Sequence, residues 1–440
     1  MKIFGWGRFP VIETNLIAPS SETQLKDELS KGDLIARGNG RSYGDSAIGK
    51  TTTIDMRCFN RMVEFDGDNG SLVAEAGVLL ADIIDVFLPR GWFPIVTPGT
   101  KFVTLGGMIA ADVHGKNHHN YGSMRNSVNW IDLMTSGGEV IRLSPEKNAS
   151  LFNWTIGGMG LTGIILRAEI KLRKVSTGWI QQKTIPAGNL EAVIDAFEAN
   201  DKATYSVAWI DCLAKGKSLG RSLLMMGEHV EIHELPPVLN KNCFPSAPAR
   251  QISLSVNLPA CLMNKTVIRL FNSFYFWLGT FKKQIDLVMW NSFFYPLDRI
   301  NDWNKLYGKN GFVQFQCVLP LAKSREGLTQ LLKATSDLGE GSFLAVLKRF
   351  GAQDTAFSFP MEGYTLALDF PVNSSTLELL DTLDRITIEH GGRFYLAKDS
   401  RMSQITLEAS DPRIAKFREM RQELHMSSAF VSSQSHRLGL

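Results

Sequence analysis

Residues 97–122, TPGTKFVTLGGMIAADVHGKNHHNYG, set a Pro-Gly turn, a Gly-Gly pair, a short apolar run and three histidines next to one another. Few folds accommodate that mixture. A Gly-Gly pair removes two Cβ atoms, so the backbone can approach a ligand closely. An apolar run beginning at the pair reads as a helix N-terminus, whose partial positive charge favours anions. The stretch therefore predicts one wall of an anion site, and the fold must bring other segments around it.

Two more glycine-rich segments qualify. Residues 34–37 (LIAR) and 51–56 (TTTIDM) read as short strands, with Gly38, Asn39, Gly40, Arg41, Ser42, Tyr43, Gly44 and Asp45 between them. A dinucleotide fingerprint needs GxGxxG opening a helix; here the third glycine comes one position late and no helix pattern follows. The loop reads instead as a nest of backbone N–H groups between strands, with a glycine-rich surface hairpin as the alternative. Residues 157–163 (GGMGLTG) place four glycines ahead of the alternating run IILRAEIKLR. They suit backbone packed against a flat or charged ligand, and turn geometry alone would also account for them.

Around these segments the pattern is mixed. MVEFDGDNGSLVAEAGV reads as a hairpin turning at Asp68, Asn69 and Gly70. Leu80, Ile83, Ile84 and Phe87 fall at helical spacing before Pro89 and Gly91 stop the run. VNWIDLMTSGGEVIRLS is strand, turn, strand. From residue 176 the texture changes: strand-like YSVAWID, GFVQFQCVLP and TLALDFP, then a helical 375–392 with a glycine stop. We read 1–175 as one domain, 176–392 as a second inserted into it, and 393–440 as a return to the first. The 259–296 stretch is aromatic, with Ile268, Phe271, Tyr275 and Leu278 near one helical face and Lys265, Arg269, Lys282 and Lys283 at its margins. It reads either as an interfacial helix or as a core helix of the second domain.

Composition narrows the function classes. At 440 residues, two or three domains are expected. A net charge of +3 without a Lys/Arg run argues against a nucleic-acid binder. Five scattered cysteines with no CxxC pair exclude a disulfide framework and a zinc ribbon, and point to a reducing compartment. The N-terminus turns polar too early for a signal peptide. The apolar run 270–281 is far shorter than the ~20 residues of a spanning helix. A soluble or peripheral cytoplasmic protein is expected.

Three chemistries compete for the histidines. His114 and His118 have i,i+4 spacing, but Gly115 and Asn117 oppose a helix and no glutamate supplies a zincin base, so no metal is assigned. Nucleophilic catalysis lacks a G-x-S-x-G elbow or a Cys/His set. In the third reading, backbone and His114 line a large, flat, anionic cofactor while Lys116 faces a substrate.

ARGNGRSYGD, TPGT, TLGGMIAADVHGKNHH, LFNWTIGGMGLTGII and RFYLAKDSR together resemble the flavin-binding signatures of the vanillyl-alcohol oxidase/p-cresol methylhydroxylase superfamily. Within it the chain resembles the decaprenylphosphoryl-β-D-ribose 2'-oxidase family, and WGR, YSVAWID, YPLD, WNKLYG, GFVQFQ and LDFP carry the likeness over nearly the whole length. The resemblance implies an α+β protein: a PCMH-type two-subdomain FAD-binding domain with an inserted α+β substrate domain on an antiparallel sheet. It assigns Ala36, Arg37, Gly38, Asn39, Gly40, Arg41, Ser42, Tyr43, Gly44, Asp45 and Ser46 to the FAD diphosphate cradle. Gly99, Thr104, Leu105, Gly106, Gly107, Ala111, Asp112, Val113, His114, Ile164 and Tyr395 would line the rest. Arg41 stands about where many superfamily members attach flavin through a histidine, so noncovalent FAD is expected.

The implied reaction oxidises a secondary hydroxyl of a sugar to a ketone by hydride transfer to flavin N5. Lys398, Tyr43 and Lys116 are the catalytic candidates, with Lys398 either taking the hydroxyl proton or stabilising the reduced flavin. Trp209, Gln314, Gln316 and Lys348, with Lys116 and Lys398, would surround the sugar. A glycosyl substrate that is polyprenyl-phosphate-linked or nucleotide-linked, a separate short-chain reductase completing an epimerisation, contact with the inner membrane through 259–296 and a role in cell-envelope polysaccharide synthesis belong to the same implication. A soluble sugar-lactone or alditol oxidase and a non-catalytic flavin-binding protein are the alternatives. Two departures concern the substrate pocket: Ala367 replaces the family's cysteine, and Phe294 stands where a tyrosine precedes PLD.

Overall fold

The computed structural model describes residues 1–246, 252–257, 265–281, 284–339, 341–342 and 344–440. Lys282 and Lys283, expected at the margin of the aromatic helix, lie outside them. Three sheets organise the fold. Leu34–Arg37 and Asn15–Ile17 flank Thr52–Asp55 in a small parallel sheet. Parallel neighbours need a crossover rather than a tight turn, so the glycine-rich loop after Arg37 is not a hairpin.

The second sheet holds six strands. Its path runs Val140–Leu143, Val128–Met134, Ile164–Lys174, Ser71–Glu75 and Met62–Asp66, with Trp92–Pro94 also paired to Ile164–Lys174. The expected hairpin is Met62–Asp66 against Ser71–Glu75. Its Gly70 has φ +76°, and a Cβ there would lie 2.2 Å from the Trp92 ring. The helix Leu80–Phe87 buries Leu80, Ile83, Ile84 and Phe87, the stripe its spacing predicted.

The third sheet is an eight-stranded antiparallel one. Its order is Ile285–Met289, Trp179–Ala187, Ser222–His229, Tyr205–Ile210, Val346–Phe350, Gly363–Pro371, Phe312–Pro320 and Arg393–Phe394. Arg393–Phe394, expected with the C-terminal return, thus closes the edge of this sheet. Leu190–Ala199, Leu321–Leu338 and Ser374–Glu389 bury apolar residues in the sheet's core, among them Val193, Leu331 and Leu383. After Phe394 the chain goes back to the first sheet: Leu34 N–H donates to Ala429 O, and Val431 N–H donates to Leu34 O, both at 2.9 Å.

The aromatic stretch forms the helix Lys265–Phe281, and its apolar residues divide between two faces. Ile268, Asn272 and Gly279 are buried. Gly279 is where the helix meets the sheet, since a Cβ there would lie 2.3 Å from Leu223. Of the stripe read from sequence, Phe271 and Leu278 instead join Val267, Leu270, Phe274, Trp277 and Phe281 on the exposed face. It is therefore not an ordinary core helix. A narrow strip through Ile268, Asn272, Tyr275 and Gly279 holds it, while Phe271, Phe274, Trp277 and Phe281 face away from the protein. No helix among the described residues is long and apolar enough to cross a membrane.

Candidate functional site

One cavity draws its lining from all three glycine-rich segments, the eight-stranded sheet and the C-terminal return. Its first wall is the loop after Leu34–Arg37. Gly38 must lack a side chain, because a Cβ would sit 2.1 Å from Thr104 Oγ1, and Gly40 has φ +62°. Among the described residues none accepts a hydrogen bond from the backbone N–H groups of residues 39–42. Free consecutive N–H groups of this kind make an anion nest.

The second wall is the 97–122 stretch. The helix Leu105–Ala110 begins just before the glycine pair, with Thr104 as its N-cap accepting from Gly107 N–H at 3.3 Å. Gly106 N–H donates to Ala76 O at 2.8 Å. Both glycine N–H groups are thus already bonded within the protein. The pair contributes close packing, since a Cβ on Gly106 would lie 2.8 Å from that of Ala76, and does not serve as a pair of donors.

The third wall follows from strand periodicity. Side chains at i and i+2 share a face, so Phe312–Pro320 presents Gln314 and Gln316 together, and Gly363–Pro371 presents Thr365, Ala367 and Asp369. The register sets Gln314 beside Asp369, Gln316 beside Ala367, and Lys348 beside Thr365. Gln314 Nε2 donates to Asp369 Oδ1. Gln316 Nε2 donates to Thr365 Oγ1 at 3.3 Å and lies 3.2 Å from His114 Nε2. With Nε2 accepting, the His114 proton sits on Nδ1, which is buried and has no partner. Burial, with Lys348 and His118 adding to it, holds the His114 pKa well below its usual value and keeps the ring neutral.

The C-terminal return supplies the last wall. Tyr43 N–H donates to Ala397 O at 2.9 Å, which fixes the turn carrying Lys398 against the first loop. Lys398 Nζ lies 3.6 Å from the centre of the Tyr43 ring. Burial lowers the Lys398 pKa to about 7, against the pull of Asp369. Burial raises Asp369 to about 7 and lowers Lys348 to about 8.

Most of the expected lining is present: Ala36, Gly38, Asn39, Gly40, Arg41, Ser42, Tyr43, Ser46, Gly99, Thr104, Gly106, Gly107, Ala111, Val113, His114 and Tyr395, with Gln314, Gln316, Lys348 and Lys398. Six expected FAD positions stand behind the wall instead. Arg37 donates to Phe4 O, and Gly44 abuts Asp399. Asp45 pairs with Arg437 at 2.7 Å. Leu105 and Ile164 are core residues. Asp112 accepts from Ser123 Oγ, Arg125 N–H and Gln353 Nε2 at 2.8–3.0 Å.

Two substrate candidates also fall outside the lining. Lys116 does not face the cavity: its Nζ donates to Phe293 O and lies 4.4 Å from the Phe293 ring centre. Burial brings its pKa down to about 7. Trp209 packs edge-on against Tyr275 of the exposed helix, with ring centres 4.8 Å apart. The histidines diverge, since His118 bonds Gln353 and His119 bonds Ala203 O, each at 2.8 Å. The 157–163 segment contributes Met159, Gly160 and Gly163 to the lining, while Trp6, Trp303 and Asp369 line it without having been assigned a site role from sequence. For Asp369 a signal existed, because it stands two residues beyond Ala367 in a run already read as a strand.

The lining suits a flavin dinucleotide. Arg41 Nε, Ser46 Oγ and His114 Nδ1 are buried polar atoms with no protein partner, and buried polar groups are normally paired. Arg41, Lys348 and Lys398 outnumber the single carboxylate Asp369, which fits a diphosphate and a ring that gains negative charge on reduction. In the cradle, the N–H groups of 39–42 would hold the diphosphate. Comparison with known proteins agrees. A family model described as "FAD binding domain" matches residues 15–144. Decaprenylphosphoryl-beta-D-ribose oxidase of Mycolicibacterium smegmatis is 36% identical over the whole of this chain and 97% of its own. An uncharacterized protein in the mprA 5' region of Streptomyces coelicolor is 30% identical over 82% of this chain and all of its own. Cytokinin dehydrogenase 9 of Oryza sativa subsp. japonica is 33% identical over 34% of this chain and 29% of its own. This chain belongs to the decaprenylphosphoryl-β-D-ribose oxidase family and is an FAD-dependent oxidoreductase.

Proposed function

We propose that the protein oxidises a secondary hydroxyl of a lipid-linked sugar to a ketone, with FAD bound noncovalently. The observation that carries the reading is the polar end of the cavity, where Gln314, Lys348, Asp369 and Lys398 meet beside Gln316, Thr365 and His114. Bound FAD supplies the two-electron acceptor. Gln314 and Lys348 orient the sugar hydroxyls, and Lys398 holds negative charge as it develops. The 36% identical relative is named for a decaprenylphosphoryl ribose, which supports a polyprenyl-phosphate pentose as substrate. A ketone product is the first half of an epimerisation, completed by a separate short-chain reductase. Arg41 lies 4.1 Å over the Trp6 ring and supports noncovalent attachment, since no histidine stands at that place. The exposed face of Lys265–Phe281 supports peripheral membrane contact, from the cytoplasmic side, by a protein that takes a lipid-linked substrate.

The decisive experiment uses the FAD-loaded protein. Denaturation should release all of its flavin. Lys398→Ala should keep the flavin and lose anaerobic bleaching by a short-chain prenylphosphoryl pentose by at least about 10²-fold. A colourless protein that cannot be loaded, or a variant that bleaches at the wild-type rate, overturns the assignment. Bleaching by free alditols but not by the prenylphosphoryl sugar would make it a soluble oxidase.

A further inference from the structure

We propose that Asp369 is the proton acceptor for the substrate hydroxyl, and that Lys398 works beside it as the ammonium that stabilises the resulting charge. The assignment rests on the oxidation proposed above and divides between two residues the roles that Lys398 alone could not be assigned. Asp369 is the one carboxylate among the described residues lining the cavity. It is 1% exposed. Its Oδ1 is held by Gln314 Nε2, its backbone N–H donates to Ser342 Oγ at 3.2 Å, and no described residue bonds Oδ2. One oxygen is therefore fixed and the other is left for a ligand. A carboxylate buried with a single amide donor is costly unless a further partner arrives, and a sugar hydroxyl is such a partner.

The neighbours favour this division of labour. Lys398 attracts the carboxylate from the C-terminal turn. Tyr43 on the first loop and Tyr307 on the 303–307 turn both feel the Asp369 charge, and burial keeps both phenols neutral. Lys348 on the adjacent strand and neutral His114 complete the surroundings. Lys348 repels Lys398, so the one carboxylate is what makes a charged Lys398 tolerable there. In the step itself, the substrate O–H bond breaks and its proton passes to Asp369. The C–H electron pair leaves as hydride to flavin, and the C–O bond becomes C=O. Substrate loses two electrons and FAD gains them.

Infrared difference spectroscopy of the FAD-loaded protein reads the carboxyl directly. The wild type should show a protonated-carboxyl band that titrates near neutrality, absent from Asp369→Asn and shifted to higher pH in Lys398→Met. If no such band titrates above about pH 5, where ordinary carboxylates are already ionised, Asp369 is not tuned for the task. In anaerobic bleaching by a short-chain prenylphosphoryl pentose, Asp369→Asn should retain FAD yet slow by about 10²–10⁴-fold and lose the rise in rate through neutral pH. Asp369→Glu should recover part of it. A bleaching wild type alongside an equally fast Asp369→Asn removes Asp369 alone. A wild type that never bleaches removes the oxidation, and with it any task for a base.

Discussion

At the scale of single residues, the charged groups follow burial more than their neighbours in sequence. Lys116 was expected at the substrate from its place in HGKNHH, yet its amine is spent on Phe293. Its pKa falls from the ordinary 10.5 to about 7 because burial disfavours the ammonium. The linkage has a definite sign. Between about pH 7 and 10.5 the unfolded chain binds a proton that the folded one does not, so Lys116 makes stability rise with pH across that window and adds no further pH dependence below about pH 7, where both states carry the proton. Lys116→Met should flatten the pH dependence of the urea midpoint of the apoprotein between those limits. An unchanged slope would show that Lys116 stays charged in the fold. Asp369 illustrates the opposite failure of legibility. Its strand was readable, but its partners Gln314 and Lys398 lie 55 residues before it and 29 after it, and only strand register and the returning C-terminus make them neighbours.

Among the elements, periodicity was the reliable guide. The Leu80–Phe87 helix and the hairpin at Gly70 were legible from spacing, whereas the strands carrying Trp209, Gln314 and Asp369, buried nearly throughout, were legible as short apolar runs rich in aromatic and β-branched residues. The helix Lys265–Phe281 was legible as a helix but not in its orientation. It is apolar on more than one side, and its protein-facing strip mixes Ile268 and Tyr275 with the polar Asn272 and the small Gly279, so size and hydropathy do not mark it. Phe274 and Trp277 are 60% and 54% exposed, and each would gain about 1.5–3 kcal/mol on leaving water. The double substitution Phe274→Ser with Trp277→Ser should therefore weaken flotation with anionic liposomes by about tenfold or more, leaving FAD content unchanged. Flotation equal to wild type would clear this face of any membrane role. The glycine pair at 106–107 taught a different lesson: its helix was foreseen, but the fate of its N–H groups depended on Ala76 and Thr104, which no local pattern announces.

For the whole molecule, a single guanidinium ties the two ends of the chain together. Arg437 bonds Asp45 at 2.7 Å and Asp399 at 2.9 Å, joining the first loop to the turn that carries Lys398. Both carboxylates are buried, and Asp399 is kept acidic chiefly by Arg437 and two backbone N–H groups in spite of its burial. Arg437→Met would strand two buried carboxylates, a loss of about 3–5 kcal/mol. It should lower the urea midpoint of the apoprotein and weaken FAD binding together. Loss of stability with flavin affinity intact would separate the clamp from the cofactor site. The same clamp bears on how the protein is made. Synthesis runs from the N-terminus, and domains generally fold as they emerge, so the first loop is synthesised long before the residues that hold it and complete its site, Ala397, Lys398 and Arg437, have been translated. A chain still on the ribosome offers flavin only part of its pocket, and cofactor capture becomes one of the last events in the protein's biogenesis.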